Sequence, residues 1–349
     1  MDNLPLFITI PAATAFFIPI VSHRFKWFPD VSASVATFIL LLLSLITLNH
    51  ETVYKMGNWP APFGVVFVLD GFSCMMLVIV NLISFVAAIY SVDYIEKFYT
   101  SKLRYYSLLL LVITGMNGVI LTGDLFNLFI FLELALVASF ALVGFGCSAR
   151  NLEASFKYLV INLLASYFIF MAIALLYGKF ASLNMAEIAG LIRSLEGMSN
   201  EVVIFAFVLL LAGFATKSAI VPFHAWVADA YTSAPAPVSA ILTGGVVKSL
   251  GIYALIRLSY NVFGMSPLLS TVFMYSGVFS ILIGVLMALG QWNFRRLLAY
   301  HSISQMGYIV LAFGIGTPLA IAGGIFHILN HSLFKSLLFL DAGSVEYET

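Results

Sequence analysis

Six ionisable side chains stand among flanking residues that are almost all hydrocarbon or aromatic. They are Glu133, Lys217, Lys248, His327, His331 and Lys335, with His301 near the end of another apolar run as a seventh candidate. In FNLFIFLELALVASFAL, residues 126–142, only Asn127 and Ser139 besides Glu133 carry a polar side chain. An ionisable group in lipid costs about 2.5 kcal/mol or more, so such residues face a protein interior or a wet cavity. One acid and two amines, Lys217 and Lys248, predict mutual compensation inside the protein. Lys248 lies too deep in its run to stretch to a helix end, whereas Lys335 has that option in part. His327, His331 and Lys335 follow i, i+4, i+8 spacing, which stacks them along one helix face. Histidine titrates near neutral pH, so such a column suits the handing on of protons. A lone membrane histidine equally serves as an interhelical hydrogen bond, and that alternative weighs most for His301.

Two further stripes are polar: Tyr158, Asn162 and Ser166 on one run, and His301, Ser304, Gln305 and Tyr308 on another. They fit interhelical hydrogen bonding or the lining of an ordered water file, and the pattern does not choose. Pro222 lacks an N–H and disrupts its helix around Ser218, next to Lys217. Irregular backbone at membrane depth is tolerated only against protein or a water-filled cavity, and it recurs at ion sites in transporters. Pro235 and Pro237 stop the chain and restart it, Pro237 suiting a first helical turn. Gly244 and Gly245 remove side chains one turn before Lys248, for close helix packing or for water, with packing the simpler use.

The chain that must position these groups has 349 residues, of which 62% are hydrophobic and 9% charged. Its mean hydropathy is +1.06. Soluble domains carry about a quarter charged residues, so the class is an all-α polytopic membrane protein. Runs long enough to span fall near 4–21, 31–49, 65–90, 106–122, 125–146, 157–178, 202–222, 236–260, 267–290, 296–315 and 319–341, which makes about eleven transmembrane helices. The 107–146 stretch is split at TGDLF, where Gly123 and Asp124 make a turn. The first run carries an acid at Asp2 and no basic flank, and it reads as a retained span, not a cleaved signal. Lys55, Lys179, Arg193 and Arg257 fall in loops on the amino-terminal side. Arg24, Lys26, Lys97, Lys102, Arg104, Arg150, Lys157, Arg295 and Arg296 fall on the other, which predicts an outside amino terminus.

Zero net charge gives no pull toward nucleic acid. Cys74 and Cys147 cannot by themselves hold zinc or an iron–sulfur cluster. No phosphate loop, dinucleotide fingerprint, metal-spaced cluster or hydrolytic triad is present, so neither a cofactor nor a metal is expected, nor a redox site of the chain's own. Charge-handling groups without a fuel site imply an ion gradient or a partner as the source of energy.

The acid in LFIFLELALVASF, the KSAIVPFHAWVADAYTSAPAPVSA block with VVKSLGIYALIR, RRLLAYHSISQMGY, and IFHILNHSLFKSLLFLDAGSV together resemble the antiporter-like membrane subunits. These occur in respiratory complex I, in Mrp-type sodium/proton antiporters and in membrane-bound hydrogenases and sulfur reductases. The resemblance runs from LDGFS at 69–73 to the end of the chain. It implies a proton pathway in which Glu133 pairs with Lys217 beside a broken seventh helix. Lys248 is then the central lysine of the eighth helix, and His327, His331 and Lys335 form the onward relay. It implies partner membrane subunits in a multisubunit complex of the cell membrane, with H⁺, alone or together with Na⁺, as cargo. It also implies a fold of inverted five-helix repeats: 1–105 as three amino-terminal helices, 106–262 as the first repeat and 263–349 as a partial second one. The chain stops at AGSVEYET, after the eleventh span, which fits a fragment or a shortened subunit. A stand-alone carrier for a small solute and an inactive scaffold subunit are the alternatives.

Overall fold

The computed structural model describes residues 3–194, 200–246 and 248–349; Asp2 and Val247 lie outside them. Helices α1 (Leu6–Val21) and α2 (Phe28–Ile46) are followed by a two-stranded antiparallel hairpin of β1 (Thr52–Lys55) and β2 (Val66–Leu69), with Thr52 opposite Leu69. Then come α3 (Gly71–Phe98), α4 (Lys102–Leu121), α5 (Leu125–Val143) and α6 (Ala149–Phe180). A short α7 (Met185–Ser194) precedes α8 (Glu201–Lys217), α9 (Val227–Ser233) and α10 (Ala236–Ile241). A π-helical turn over Leu242–Val246 leads into α11 (Lys248–Arg257), and a second over Leu258–Val262 ends it. The chain closes with α12 (Pro267–Leu289), α13 (Phe294–Ile315) and α14 (Pro318–Glu348).

Helical segments fall on all eleven expected stretches, and eight helical stretches among the described residues are by themselves long and apolar enough to cross a bilayer. Several limits differ from expectation, each for a local reason. The stretch expected to span from 65 starts as strand β2. The helix begins only at Gly71, because Asp70 caps it: its carboxylate accepts from Ser73 N at 2.9 Å, and Ser73 Oγ accepts from Asp70 N at 2.7 Å. The run 202–222 stops being helical at Lys217. α6 starts at Ala149 on a Ser148 cap, and α14 continues to Glu348, since polar residues beyond an apolar run do not end a helix.

Burial orders the bundle. Ala236–Gly244 and Lys248–Ile256 are buried throughout, whereas only 28% of the apolar core of α12 is buried, with Leu282, Leu286 and Leu289 exposed. A helix apolar all round belongs at the centre, or against lipid where it is exposed. Where α12 meets α13, a Cβ added at Gly277 would stand 2.8 Å from Gly307 O, so the two backbones touch through glycine. At the bundle's edge Lys157 and Arg296 lie 3.3 and 3.4 Å from Asp229, tying α6, α9 and α13 together.

The Arg257 guanidinium grips Asp70 with two nitrogens, Nη1 donating to Oδ2 at 2.6 Å. Its Nε donates to Tyr253 Oη at 3.1 Å, and Tyr253 Oη donates to Ile120 O at 2.9 Å. The end of α11 is thereby fixed to α3 and α4. Burial alone would raise the Asp70 carboxyl, but the bonds from Arg257 and Ser73 outweigh it and hold it below the usual carboxylate range. The stabilisation is thus complete above about pH 4 and fades as pH falls through the lowered value. Arg257→Ala is expected to lower the detergent melting temperature by a few degrees at pH 7. The deficit should shrink on acidification, which a melting series against pH would read.

Candidate functional site

Glu133 projects from the middle of α5 toward α6 and the end of α8. Lys217 Nζ lies 3.5 Å from Glu133 Oε1; Lys217 is 2% exposed and the Glu133 side chain 22%. Ser166 of α6 joins them: its Oγ accepts from Lys217 Nζ at 2.8 Å and donates to Glu133 Oε1. Asn162, one turn earlier, offers its carbonyl to Lys217 Nζ at 3.5 Å. The stripe Tyr158, Asn162, Ser166 is therefore tied by interhelical hydrogen bonds, with Tyr158 Oη and Ser139 Oγ 2.8 Å apart.

The end of α8 puts Lys217 there. The chain turns at Ala219, whose φ is +56°, passes Pro222 and becomes helical again at Val227. Groups freed by the break are re-satisfied, as low dielectric demands. Trp226 Nε1 donates to Thr216 O at 3.1 Å, and Val221 N donates to Ser280 Oγ at 3.0 Å. Lys217 in the last turn also meets the negative end of the helix dipole. α11 closes on the break at Gly251, where a Cβ would stand 2.6 Å from Ser218 Oγ.

Lys248 follows the π-helical turn and is fully buried. Its Nζ donates to Ser302 Oγ of α13 and lies 5.1 Å over the Tyr231 ring. The expected compensation of two amines by one acid is corrected here: among the described residues Glu133 pairs with Lys217 alone, and Lys248 has no carboxylate within ion-pair distance. Ser302 and Tyr231 take that place, as an acceptor and an aromatic face. Gly244 serves packing. A Cβ there would meet Ser336 Oγ at 2.0 Å and Ser332 O at 2.7 Å, so α14 presses directly on the turn. Gly244→Ala is expected to push α14 outward and cost about 1–3 kcal/mol of stability. A thermal melt of the purified assembly would read this.

On α14, His331 and Lys335 are fully buried and His327 half-buried. The His327 and His331 rings are 6.5 Å apart, and Tyr308 of α13 stands edge-on to His327 at 6.0 Å. Neither ring nitrogen of His331 has a partner among the described residues. Lys335 does not reach for a helix end; its Nζ donates inward to Leu298 O at 3.0 Å. On α13, Gln305 Nε2 lies 3.5 Å from His301 Nε2, and both are half-buried. Ser304 leaves the expected stripe: its backbone and Cβ pack on Gly284 of α12. Sequence reasoning missed three groups. Ser302 and Tyr231 carry no pattern of their own and become visible only as what Lys248 lacks an acid for. His224, in the broken segment, is half-buried with Nδ1 unpartnered among the described residues. A titratable residue two positions after the proline was the available signal.

Fold and interior together define an all-α polytopic membrane protein that buries amines and an imidazole, with a partly exposed carboxylate beside one of the amines. The chain belongs to the family described as NADH:quinone oxidoreductase/Mrp antiporter, TM, whose model matches residues 122–349. A second family, described as NADH-Ubiquinone oxidoreductase (complex I), chain 5 N-terminus, matches residues 56–106. The chain is 36% identical to a Na(+)/H(+) antiporter subunit of Alkalihalophilus pseudofirmus, over 99% of its own length and 71% of that protein's. It is 35% identical to an NADH-quinone oxidoreductase subunit of Desulforudis audaxviator, over 99% and 69%. Among solved structures, the Mrp complex from Dietzia sp. DQ12-45-1b matches with a TM-score of 0.91 at 32% identity, over 99% of this chain and 64% of that one. The membrane-bound sulfane sulfur reductase, an archaeal respiratory complex, matches with a TM-score of 0.91 at 30% identity, over 99% and 71%. The chain thus spans about two thirds of the length of the relatives it matches.

Proposed function

We propose that the chain translocates protons, or exchanges sodium for protons, as a membrane subunit of a multisubunit redox-driven pump or cation/proton antiporter. The observation that carries this is the burial of the amines Lys217, Lys248 and Lys335 with, among the described residues, a carboxylate beside only the first. Enclosed amines cost stability, and a chain keeps them where charge must move. The relatives support both settings, one named as an antiporter subunit and one as a quinone oxidoreductase subunit. In this reading Glu133 and Lys217 form a switchable pair, Lys248 is the central carrier, and His327, His331 and Lys335 continue the path, with His301 at its side. At an effective dielectric near 20, charges about 3.5 Å apart attract by roughly 4–5 kcal/mol. Removing that attraction changes proton affinity by about a thousandfold, with the sites titrating as a coupled set. The proposal extends to an outside amino terminus in the cell membrane and to a first five-helix repeat over 106–262, followed by part of a second over 263–349.

The test is ion flux in vesicles holding the intact assembly. Lys248→Ala is expected to abolish proton movement while the assembly still forms. Undiminished flux would overturn the reading.

A further inference from the structure

We propose that the Ser166 hydroxyl is the proton bridge between Lys217 and Glu133, a step that rests on the functional reading above. Direct contact between the two charged groups is long: 3.5 Å, where charge-assisted N–H···O bonds are about 2.7–2.9 Å. Ser166 Oγ fills the gap, accepting from Lys217 Nζ at 2.8 Å and donating to Glu133 Oε1, and it is itself buried. A serine hydroxyl has one hydrogen to give. Two acceptors stand within its reach, Glu133 Oε1 and Asn162 O, the latter at 3.0 Å. The hydroxyl therefore has two resting directions, one that links amine to carboxylate and one that does not. Ser302, beside Lys248, differs: it donates to Ala299 O at 2.6 Å and faces no carboxylate among the described residues, so it only accepts from its lysine.

The step balances without any further reactant. One Nζ–H bond of Lys217 breaks as a new H–Oγ bond forms, and the original Oγ–H bond breaks as its proton joins Glu133 Oε1. The products are a neutral amine, an intact serine hydroxyl and a neutral carboxylic acid, with no change of oxidation state. Both charges vanish together, so the pair lets go. The hydroxyl hydrogen now lies on the Lys217 side. Rotation past Asn162 O, which accepts it on the way, returns the bridge to its starting direction once Glu133 has lost its proton.

Three variants in the intact assembly test this: Ser166→Ala, Ser166→Thr and Ser166→Cys. Flux and its solvent deuterium isotope effect are read in vesicles. The Glu133 carboxyl infrared band, assigned by difference against Glu133→Gln, is read in the resting assembly. Ser166→Ala is expected to slow flux by about a hundredfold and to shift the Glu133 band. Ser166→Thr, which keeps the hydroxyl, is expected to restore both. If the alanine variant does not assemble, Ser166→Cys, close to serine in size with a weak donor, takes its place with the same expectation. Wild-type flux with an unmoved band in the alanine or cysteine variant would overturn the bridge, as would a threonine variant as slow as alanine with the band unmoved. A wild-type assembly that moves no ion would sink the functional reading alone; the band still decides whether Ser166 bonds Glu133.

Discussion

Glu133→Gln is expected to reduce proton movement by the intact assembly by about two orders of magnitude while leaving its subunits together. Glutamine keeps the shape of the side chain and an oxygen able to accept from Ser166. It loses the charge that holds Lys217, worth roughly 4–5 kcal/mol at an effective dielectric near 20. Among the described residues the buried amine then has only Ser166 Oγ and Asn162 O as neutral partners, and an unpaired buried charge sheds its proton. Because the Glu133 side chain is partly exposed, the fold loses less than it would at a sealed pair, and the defect should appear in rate more than in assembly. Flux measured against quantity of assembled complex separates the two.

Lys335→Met is the second large effect, and here stability and transport should move in opposite directions. The Lys335 amine is fully buried, donates one hydrogen bond to Leu298 O, and has no carboxylate within ion-pair distance among the described residues. Methionine fills similar volume without a polar head. Replacing a poorly satisfied buried ionisable group by an apolar one of like size is often stabilising, by about 1–4 kcal/mol. The melting temperature should rise by several degrees, while flux through the α14 relay falls sharply. A variant that melts lower would mean that the amine is better satisfied than the Leu298 contact indicates. One that melts higher and transports normally would remove Lys335 from the path.

The parts of this site that could be read from sequence are those where a single physical rule leaves few choices. An acid and a lysine in separate apolar runs must find company, and Glu133 and Lys217 do. A proline in a membrane helix must free backbone groups upstream, and α8 ends at Lys217, five residues before Pro222. Spacing of i, i+4, i+8 must align side chains, and His327, His331 and Lys335 share a face of α14. What stayed hidden depends on which helices touch. Nothing in the Ser166 stripe distinguishes a hydroxyl aimed at Glu133 from one aimed at its own helix. Ser302 lies 54 positions from the lysine it serves, and only the meeting of α11 with α13 pairs them. The hairpin at 52–69 escaped because four apolar residues before a long apolar helix read as part of it; the cap at Asp70, followed by Ser73, was the available clue. Charge compensation was expected to take in Lys248 because an amine in lipid calls for an acid, yet a hydroxyl and an aromatic face stand in for one.

The most direct measurement is a double-mutant cycle on proton flux, comparing Glu133→Gln, Lys217→Ala and the two combined in the same assembly. If the two groups act as one unit, each single change already disables it, and the combined variant is no slower than the slower single one. If the losses multiply, or if either single variant transports at the wild-type rate, then the carboxylate of α5 and the amine of α8 do not work together, and the switch they are held to form does not exist.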